Sequence, residues 1–385
     1  MCGIFGYVGP SDKATDIVLK GLKDLEYRGY DSWGIAAVPA KVNGEVKIVV
    51  KKKTGKIGNA TIGDMAKSSF AFGHTRWATH GGVTDVNAHP HLDCTGTIAI
   101  IHNGIVENYS ELKAKLAKKD HTFISETDTE VAVHLIEEYA KTMLFSKAVQ
   151  KAFNDMTGLN AFIVMNTKNQ QFVAVRNGSP LVVGFGNGEN YLASDAAALL
   201  PYTKQVHYLE DDEMALVSAK GVMIFNARTG DRIQPKKQLL TWSIAQVEKG
   251  KFPYFMLKEI HEQPGMLSEI ASESSDQSRA LVQMIKKVDR VYVVGSGTSG
   301  HAARAASYLF SLISRRLVNW GIASEIDHRI DIIPKNGLLI ALSQSGETMD
   351  LLEVIGKAKA RGIMVIALVN VVGSSLWRMA DIKLP

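Results

Sequence analysis

The chain has 385 residues, 46% hydrophobic and 22% charged, enough apolar material for two or three domain cores and no composition for disorder. Its 44 Lys and Arg against 39 Asp and Glu leave a formal charge of +5, spread along the chain, which argues against a nucleic-acid partner. Two cysteines, Cys2 and Cys94, exclude a disulfide scaffold. With no apolar run near the ~18 to 20 residues of a bilayer span and no signal-peptide pattern, they predict a cytoplasmic protein with no membrane contact.

From residue 1 to about 240, short apolar runs broken by Gly, Asn and Asp alternate with a few helical stretches, at Asp16–Leu25 and Thr127–Lys141. This pattern predicts a sheet-rich α+β domain. Within it, Lys51-Lys52-Lys53 reads as a solvated strand end entering a turn. Residues 241–287, with Gly250, Pro253, Pro264 and the polar run from Ser272 to Ser278, read as a connector plus a helix. Beyond them the pattern becomes strict alternation: strand Val291–Val294, helix His301–Arg315, strand Leu338–Leu342, helix Met349–Ala360, strand Ile363–Val369. Apolar runs of this length separated by amphipathic helices predict parallel βαβ units in a doubly wound sheet. Ile382-Lys383-Leu384 begins another strand, and a sheet of this kind needs more closing structure than follows, so the chain is expected to be truncated.

A cysteine after the initiator Met becomes the first residue once Met is removed. Its thiol then lies beside an α-amino group titrating near ~7.7 to 8.0, which can serve as its general base. The bland alternative for Cys2 is a small buried residue. His74, His80, His89, His91 and His102 crowd one region and raise a zinc reading. There is no helical His-x-x-x-His pair and no Cys-x-x-Cys, so no metal is expected. Gly295-Ser296-Gly297-Thr298-Ser299-Gly300 matches the dinucleotide fingerprint G-x-G-x-x-G between a strand and a helix. Ser343-Gln344-Ser345-Gly346-Glu347-Thr348 occupies the equivalent place after the next clear strand. Two hydroxyl-rich loops at strand ends suit a phosphate, the alternative being Ser and Thr side chains that merely cap helices.

Six blocks in order, Cys2-Gly3-Ile4-Phe5-Gly6, Glu26 to Ser32, Gly73 to Gly81, Asn87-Ala88-His89-Pro90, His102-Asn103-Gly104 and Ser125 to Glu130, closely resemble the glutaminase domain of the class II, N-terminal-nucleophile amidotransferases. The likeness runs on through Arg176 to Leu181 and Ala193-Ser194-Asp195. It implies an αββα sandwich over 1–240 in which Cys2 attacks the side-chain amide of glutamine, and Asn103 and Gly104 form the oxyanion hole. Arg76 would grip the substrate carboxylate with a two-point fork and Asp128 would pair with its ammonium group. Trp77, Thr79 and His80 would belong to a mobile loop closing over glutamine, with Arg28 supporting the pocket. Taken singly, Arg76 and Asp128 read equally as surface charges, Trp77 as a core aromatic and Asn103-Gly104 as a hairpin turn.

The two hydroxyl-rich loops, with Ala323-Ser324-Glu325 between them, resemble the sugar isomerase (SIS) domain, here 288–385. That likeness implies that Thr298, Ser299, Ser343, Gln344, Ser345 and Thr348 hold a phosphosugar. Ser296 stands where the family often has Cys. A glutaminase followed by SIS resembles the isomerizing amidotransferases that turn fructose 6-phosphate and glutamine into glucosamine 6-phosphate. It implies those two partners, no cofactor, and a homodimer through the SIS domains. The family's isomerase residues fall beyond Pro385, so glutaminase activity alone is expected of this chain. Another class II amidotransferase, a non-catalytic phosphosugar-binding regulator and a nicotinamide-dependent oxidoreductase remain as alternatives.

Overall fold

The computed structural model describes residues 2–39, 46–63, 65–240, 251–273, 275–371 and 374–384. The predicted connector begins in 241–250, outside the described residues. The chain divides into two compact units, Met1–Gly250 and Lys251–Pro385.

The first unit carries strands β1 (Gly3–Val8), β2 (Ser32–Ala37), β3 (Val49–Thr54), β4 (Phe70–Arg76), β5 (His91–Leu92), β6 (Ile98–Gly104), β7 (Asn160–Asn166) and β8 (Gln171–Asn177). These are followed by β9 (Val182–Phe185), β10 (Asn190–Ala193), β11 (Gln205–Tyr208), β12 (Glu213–Ser218), β13 (Gly221–Asn226), β14 (Arg232–Ile233) and β15 (Gln238–Leu239). Its helices are α1 (Ala14–Asp24), α2 (Tyr109–Ala117), α3 (Asp128–Ala140) and α4 (Phe145–Asp155). Two antiparallel sheets result, ordered β15-β11-β9-β10-β1-β4-β2-β3 and β14-β13-β12-β8-β7-β6-β5.

Strand side chains alternate between faces, and here both faces are covered. Along β1, Phe5 and Tyr7 join α1 residues Val18 and Leu22 in one core, whereas Ile4 and Val8 join Phe70, Phe72, Phe172 and Ala174 in the core between the sheets. On the far side Val173 and Val175 pack with α3 and α4 through Val131, Ile136, Val149 and Phe153. The layers are therefore α, β, β, α. Phe172 joins the two sheets, its ring centroid 4.4 Å from that of Phe70, and truncating such a buried Phe to Ala costs about 3 to 5 kcal/mol.

In the second unit β16 (Arg290–Gly295), β17 (Asn319–Ile322), β18 (Gly337–Ser343), β19 (Met364–Val369) and β20 (Ile382–Leu384) form one parallel sheet ordered β17-β16-β18-β19-β20. Helices Thr298–Ser314 and Met349–Ala360 make two of the crossovers, as the alternation predicts. The strand order reverses between β16 and β18, the switch point where open α/β sheets bind ligands.

Two expectations change. Residues 255–287 are almost continuously helical, as Phe255–Glu273 and Ser275–Lys287, with Pro264 carried inside the first helix. Lys51 and Lys52 are not a solvated strand end. They lie within β3, where Lys51 Nζ donates to the Thr61 and Ile62 carbonyls at 3.0 and 2.9 Å and Lys52 Nζ to those of Val86 and Ala88 at 3.1 and 2.7 Å. Burial pushes Lys52 down to about 8.

Candidate active site

Cys2 lies directly before β1, half-buried, with its sulfur against the peptide that follows β4. Trp77 N–H donates to Sγ at 3.2 Å and Sγ–H donates to the Trp77 carbonyl at 3.5 Å. The Cys2 carbonyl accepts from Arg28 Nε at 3.1 Å and from Asn103 Nδ2 at 3.0 Å. Arg28, buried at the end of a short 3-10 turn, also pairs with Asp195 at 3.4 Å. Burial pushes the Cys2 thiol up from its ordinary value, opposed by the Trp77 N–H, the chain terminus, Arg76 and Arg28.

Around this sulfur a small cleft is lined by Cys2, Arg76, Trp77, Thr79, His80, Gly104 and Asp128. His89, His102, Thr127 and Thr129 complete its wall. Seven of the nine residues expected at a glutamine site thus share one cleft. Arg28 and Asn103 stand behind it, holding the Cys2 carbonyl. One amide hydrogen of Asn103 is committed to the Cys2 carbonyl, and the other remains for an oxyanion.

The orientation of Asn103 follows from His74. His74 Nε2 lies 3.0 Å from both the His102 carbonyl and Asn103 Oδ1, two acceptors, so this nitrogen must carry the hydrogen. Burial holds the ring down at about 3, so it is a neutral donor at every ordinary pH. Asn103 Oδ1 thus accepts from His74, and its NH2 turns to Cys2. His102 is fixed the same way, between Thr129 Oγ1 and Asn160 Oδ1, each at 2.9 Å. The sequence reading missed this role for His74, because its partners lie 28 and 29 residues away and no local pattern marks it.

Asn103 and Gly104 end β6 and are not a hairpin turn. Gly104 has φ +142°, and a Cβ there would meet the Leu159 carbonyl at 2.2 Å, so only glycine fits. Arg76 is buried and is not a surface charge. Its Nη1 donates to the Gly82 carbonyl at 3.0 Å, and its Nη2 to those of His80 and Gly81, the latter at 3.2 Å. With both Nη2 hydrogens taken by the 77–86 loop, the expected two-point grip on a carboxylate requires the loop to release a carbonyl. Asp128 opens α3, is buried, and accepts from Val106 N–H at 2.7 Å. Trp77 is 45% exposed, so it is not a core aromatic. Its ring meets Tyr30 edge-on at 5.4 Å.

In the second unit the two predicted loops follow the adjacent parallel strands β16 and β18. Thr298 and Ser299 start one helix behind Gly297, whose φ of +55° is left-handed. Ser343 ends β18, with its Oγ accepting from Gly346 N–H at 3.0 Å and 3.5 Å from Thr348 Oγ1. Ser345 Oγ accepts from Glu347 N–H at 3.2 Å, and Gln344 is exposed. Neither helix start has a side-chain cap from its N-cap residue; the Ser343 and Ser345 hydroxyls accept instead from backbone N–H groups within their own loop. Ser296 Oγ is buried with no hydrogen-bond partner among the described residues.

Residues 45–251, more than half the chain, match the model of the glutamine amidotransferase domain, and 284–385 match that of the SIS domain. The chain belongs to the glutamine amidotransferase domain family. It is 42% identical over 390 residues to the glutamine–fructose-6-phosphate aminotransferase [isomerizing] of Thermococcus kodakarensis, a match covering 100% of this chain and 64% of that protein. It is also 42% identical to the protein of that name from Thermus thermophilus, covering 99% and 63%. The chain thus spans less than two thirds of the length of these relatives. Among solved structures, the glutamine phosphoribosylpyrophosphate amidotransferase of B. subtilis aligns with a TM-score of 0.52 at 17% identity, over 99% of this chain and 90% of that one. An allosteric regulatory enzyme of purine biosynthesis aligns at 0.53 and 18%, over 96% and 80%. At these identities the likeness speaks for the fold alone.

Proposed function

We propose that this chain is a glutamine-dependent amidotransferase that releases ammonia at Cys2 for the conversion of fructose 6-phosphate to glucosamine 6-phosphate. Residues 1–240 act as the glutaminase, 241–287 connect, and 288–385 form a SIS domain. The observation that carries the glutaminase half is the fixation of residue 2, whose carbonyl is held by Arg28 and Asn103 while its sulfur faces a cleft lined by Arg76 and Asp128. A raised thiol is protonated at rest, so attack needs a base. The α-amino group freed by Met removal takes the S–H proton as sulfur bonds to the amide carbon. Gly104 N–H and the second Asn103 N–H receive the developing oxyanion. The same proton passes to the leaving nitrogen as the C–N bond breaks, releasing ammonia, and water then hydrolyses the thioester to glutamate. Arg76 and Asp128 bind the carboxylate and ammonium of glutamine, and Trp77, Thr79 and His80 cover it.

The phosphosugar reading is supported by two hydroxyl-bearing loops that follow the adjacent parallel strands β16 and β18 at the switch point of the sheet. A homodimer is supported by Leu309, Leu312 and Ile313, apolar and 55%, 70% and 78% exposed on one helix. Two free cysteines and, among the described residues, no helix long and apolar enough to cross a membrane support a cytoplasmic setting. The test is glutamate release from glutamine by the Met-processed chain, with and without fructose 6-phosphate, beside Cys2→Ala. Release that is abolished in Cys2→Ala and stimulated by the sugar is expected. Release persisting in Cys2→Ala overturns the glutaminase reading, and indifference to the sugar overturns communication from the SIS loops.

A further inference from the structure

Away from the cleft, three segments of the first unit bring a thiol, two imidazoles and a carboxylate to one point. Cys94 comes from the turn between β5 and β6, His121 from the connection between α2 and α3, and His134 and Glu137 from one face of α3. Their ligand atoms all lie within 4.8 Å of one another. Cys94 Sγ is 3.7 Å from His121 Nδ1 and 3.6 Å from His134 Nδ1. Glu137 Oε2 is 3.1 Å from the first of these nitrogens and 3.0 Å from the second. A tetrahedral zinc with bonds of ~2.0 to 2.3 Å sets its ligands about 3.3 to 3.6 Å apart, close to this spacing.

The hydrogen bonding around the group points the same way. His121 turns its other nitrogen, Nε2, to Glu138 Oε2 at 3.1 Å. A carboxylate on the outer nitrogen is the partner a metal-ligating histidine ordinarily has, and here it leaves Nδ1 turned to the Glu137 oxygen. His134 also turns Nδ1 inward, to Glu137 Oε2, while its buried Nε2 lies 3.8 Å from Glu130 Oε1, beyond hydrogen-bond reach. Both histidines are buried, while Cys94 is exposed and offers a path from solvent.

We propose that Cys94, His121, His134 and Glu137 form a four-coordinate site for a divalent transition metal, with zinc favoured by the donor set. Four protein ligands close the coordination sphere, which makes the role structural. The metal pins the β5–β6 turn and the α2–α3 connection to α3. It grips that helix about 9 Å along its axis from Asp128, so it positions the helix end that lines the cleft. This set is distinct from the histidine group at His74, His89, His91 and His102, whose titration burial pushes down and which hydrogen-bond or stack at and behind the cleft wall.

The test is titration of the chelator-stripped 385-residue chain with cobalt(II), followed by displacement with zinc. One equivalent per chain is expected, with tetrahedral ligand-field bands and a thiolate-to-cobalt charge-transfer band. Cys94→Ser loses the charge-transfer band, and Cys2→Ala keeps it. Glu138→Gln weakens binding about 10- to 100-fold, and His134→Ala weakens it further. Each variant's circular dichroism is compared with the parent. X-ray absorption at the zinc edge of the unaltered protein, expected to report one sulfur and three light neighbours, needs no variant to fold. No uptake by the folded stripped chain, a band surviving Cys94→Ser or lost in Cys2→Ala, or a zinc shell without sulfur overturns the proposal.

Discussion

In the first unit the candidate nucleophile is held by side chains 26 and 101 residues away in the sequence. In the second, the hydroxyls of the candidate phosphate loop take part in hydrogen bonds that span two to five residues, while its Glu347 carboxylate and Gly346 carbonyl tie it to the N–H groups of Ser375 and Leu376. The first arrangement buries its polar groups and so depends on each partner being present, since an orphaned buried carbonyl costs about 1 to 3 kcal/mol. The second buries Ser343 but leaves the Ser345 and Thr348 hydroxyls half-buried, where losing one removes a ligand contact and little else. A single substitution should therefore spread through the first site and stay local in the second.

The largest effect is expected at Asn103, which serves two bonds at once. Asn103→Ala removes an oxyanion donor and a tether of Cys2, and kcat for glutamine hydrolysis should fall about 10²- to 10³-fold. Steady-state glutamate release decides it. A kcat within about tenfold of the parent would mean that Gly104 and Arg28 suffice.

His74 comes next, because it touches neither substrate nor sulfur and acts by turning Asn103. His74→Leu leaves Asn103 Oδ1 and the His102 carbonyl without their donor, so the protein should lose about 1 to 3 kcal/mol in denaturant melts. Its kcat should fall about tenfold or more while KM holds. His74→Gln, which returns an N–H, should recover part of the kcat. Loss of stability without loss of kcat would reduce His74 to a packing residue.

Against these, Thr348→Val tests the local site. The Thr348 hydroxyl caps no helix, so the fold should hold while affinity for fructose 6-phosphate drops about tenfold, as loss of one hydrogen bond to a charged group predicts. Calorimetric titration measures it, and glutaminase activity without the sugar should be unchanged. A melting temperature that falls with the affinity would show that the second site is as interlocked as the first.

The same contrast explains what the sequence discloses. The βαβ unit was legible because its signals are local: helix Met349–Ala360 appears over the residues its apolar spacing marks, and β18 and β19 begin and end within one residue of their apolar runs. Candidate site residues in the first unit were named through ordered motifs, and seven of them line one cleft, while their working arrangement was not legible. That His74 orients Asn103, or that Arg76 spends Nη2 on the loop, depends on partners that only the folded sheets bring together. Lys52 misled for the same reason, its charge run suggesting solvent where β3 carries it to two carbonyls. The Cys94 cluster had one local trace, His134 and Glu137 three apart on a helix, which the search for His-x-x-x-His and Cys-x-x-Cys passed over.

The smallest expected effect concerns acid stability, and it too separates the units. Burial would raise the Glu213 carboxyl, but His207 at 2.9 Å and the Glu210 N–H hold it below its ordinary value. A carboxyl lowered on folding contributes stability above its unfolded value of about 4.3 and loses it as pH falls through the lower folded value. Melting temperatures of the parent should therefore drop more steeply than those of Glu213→Gln below about pH 4.3. Asp381 in the second unit is lowered too, with burial opposing Lys359 and the Val365 N–H. Its side chain is 38% exposed, so water screens the pair and its share shrinks. Asp381→Asn should follow the parent curve closely. A curve flattened by Asp381→Asn and untouched by Glu213→Gln would place the pH-sensitive electrostatics in the second unit, and the contrast between a buried network and a local loop would fail.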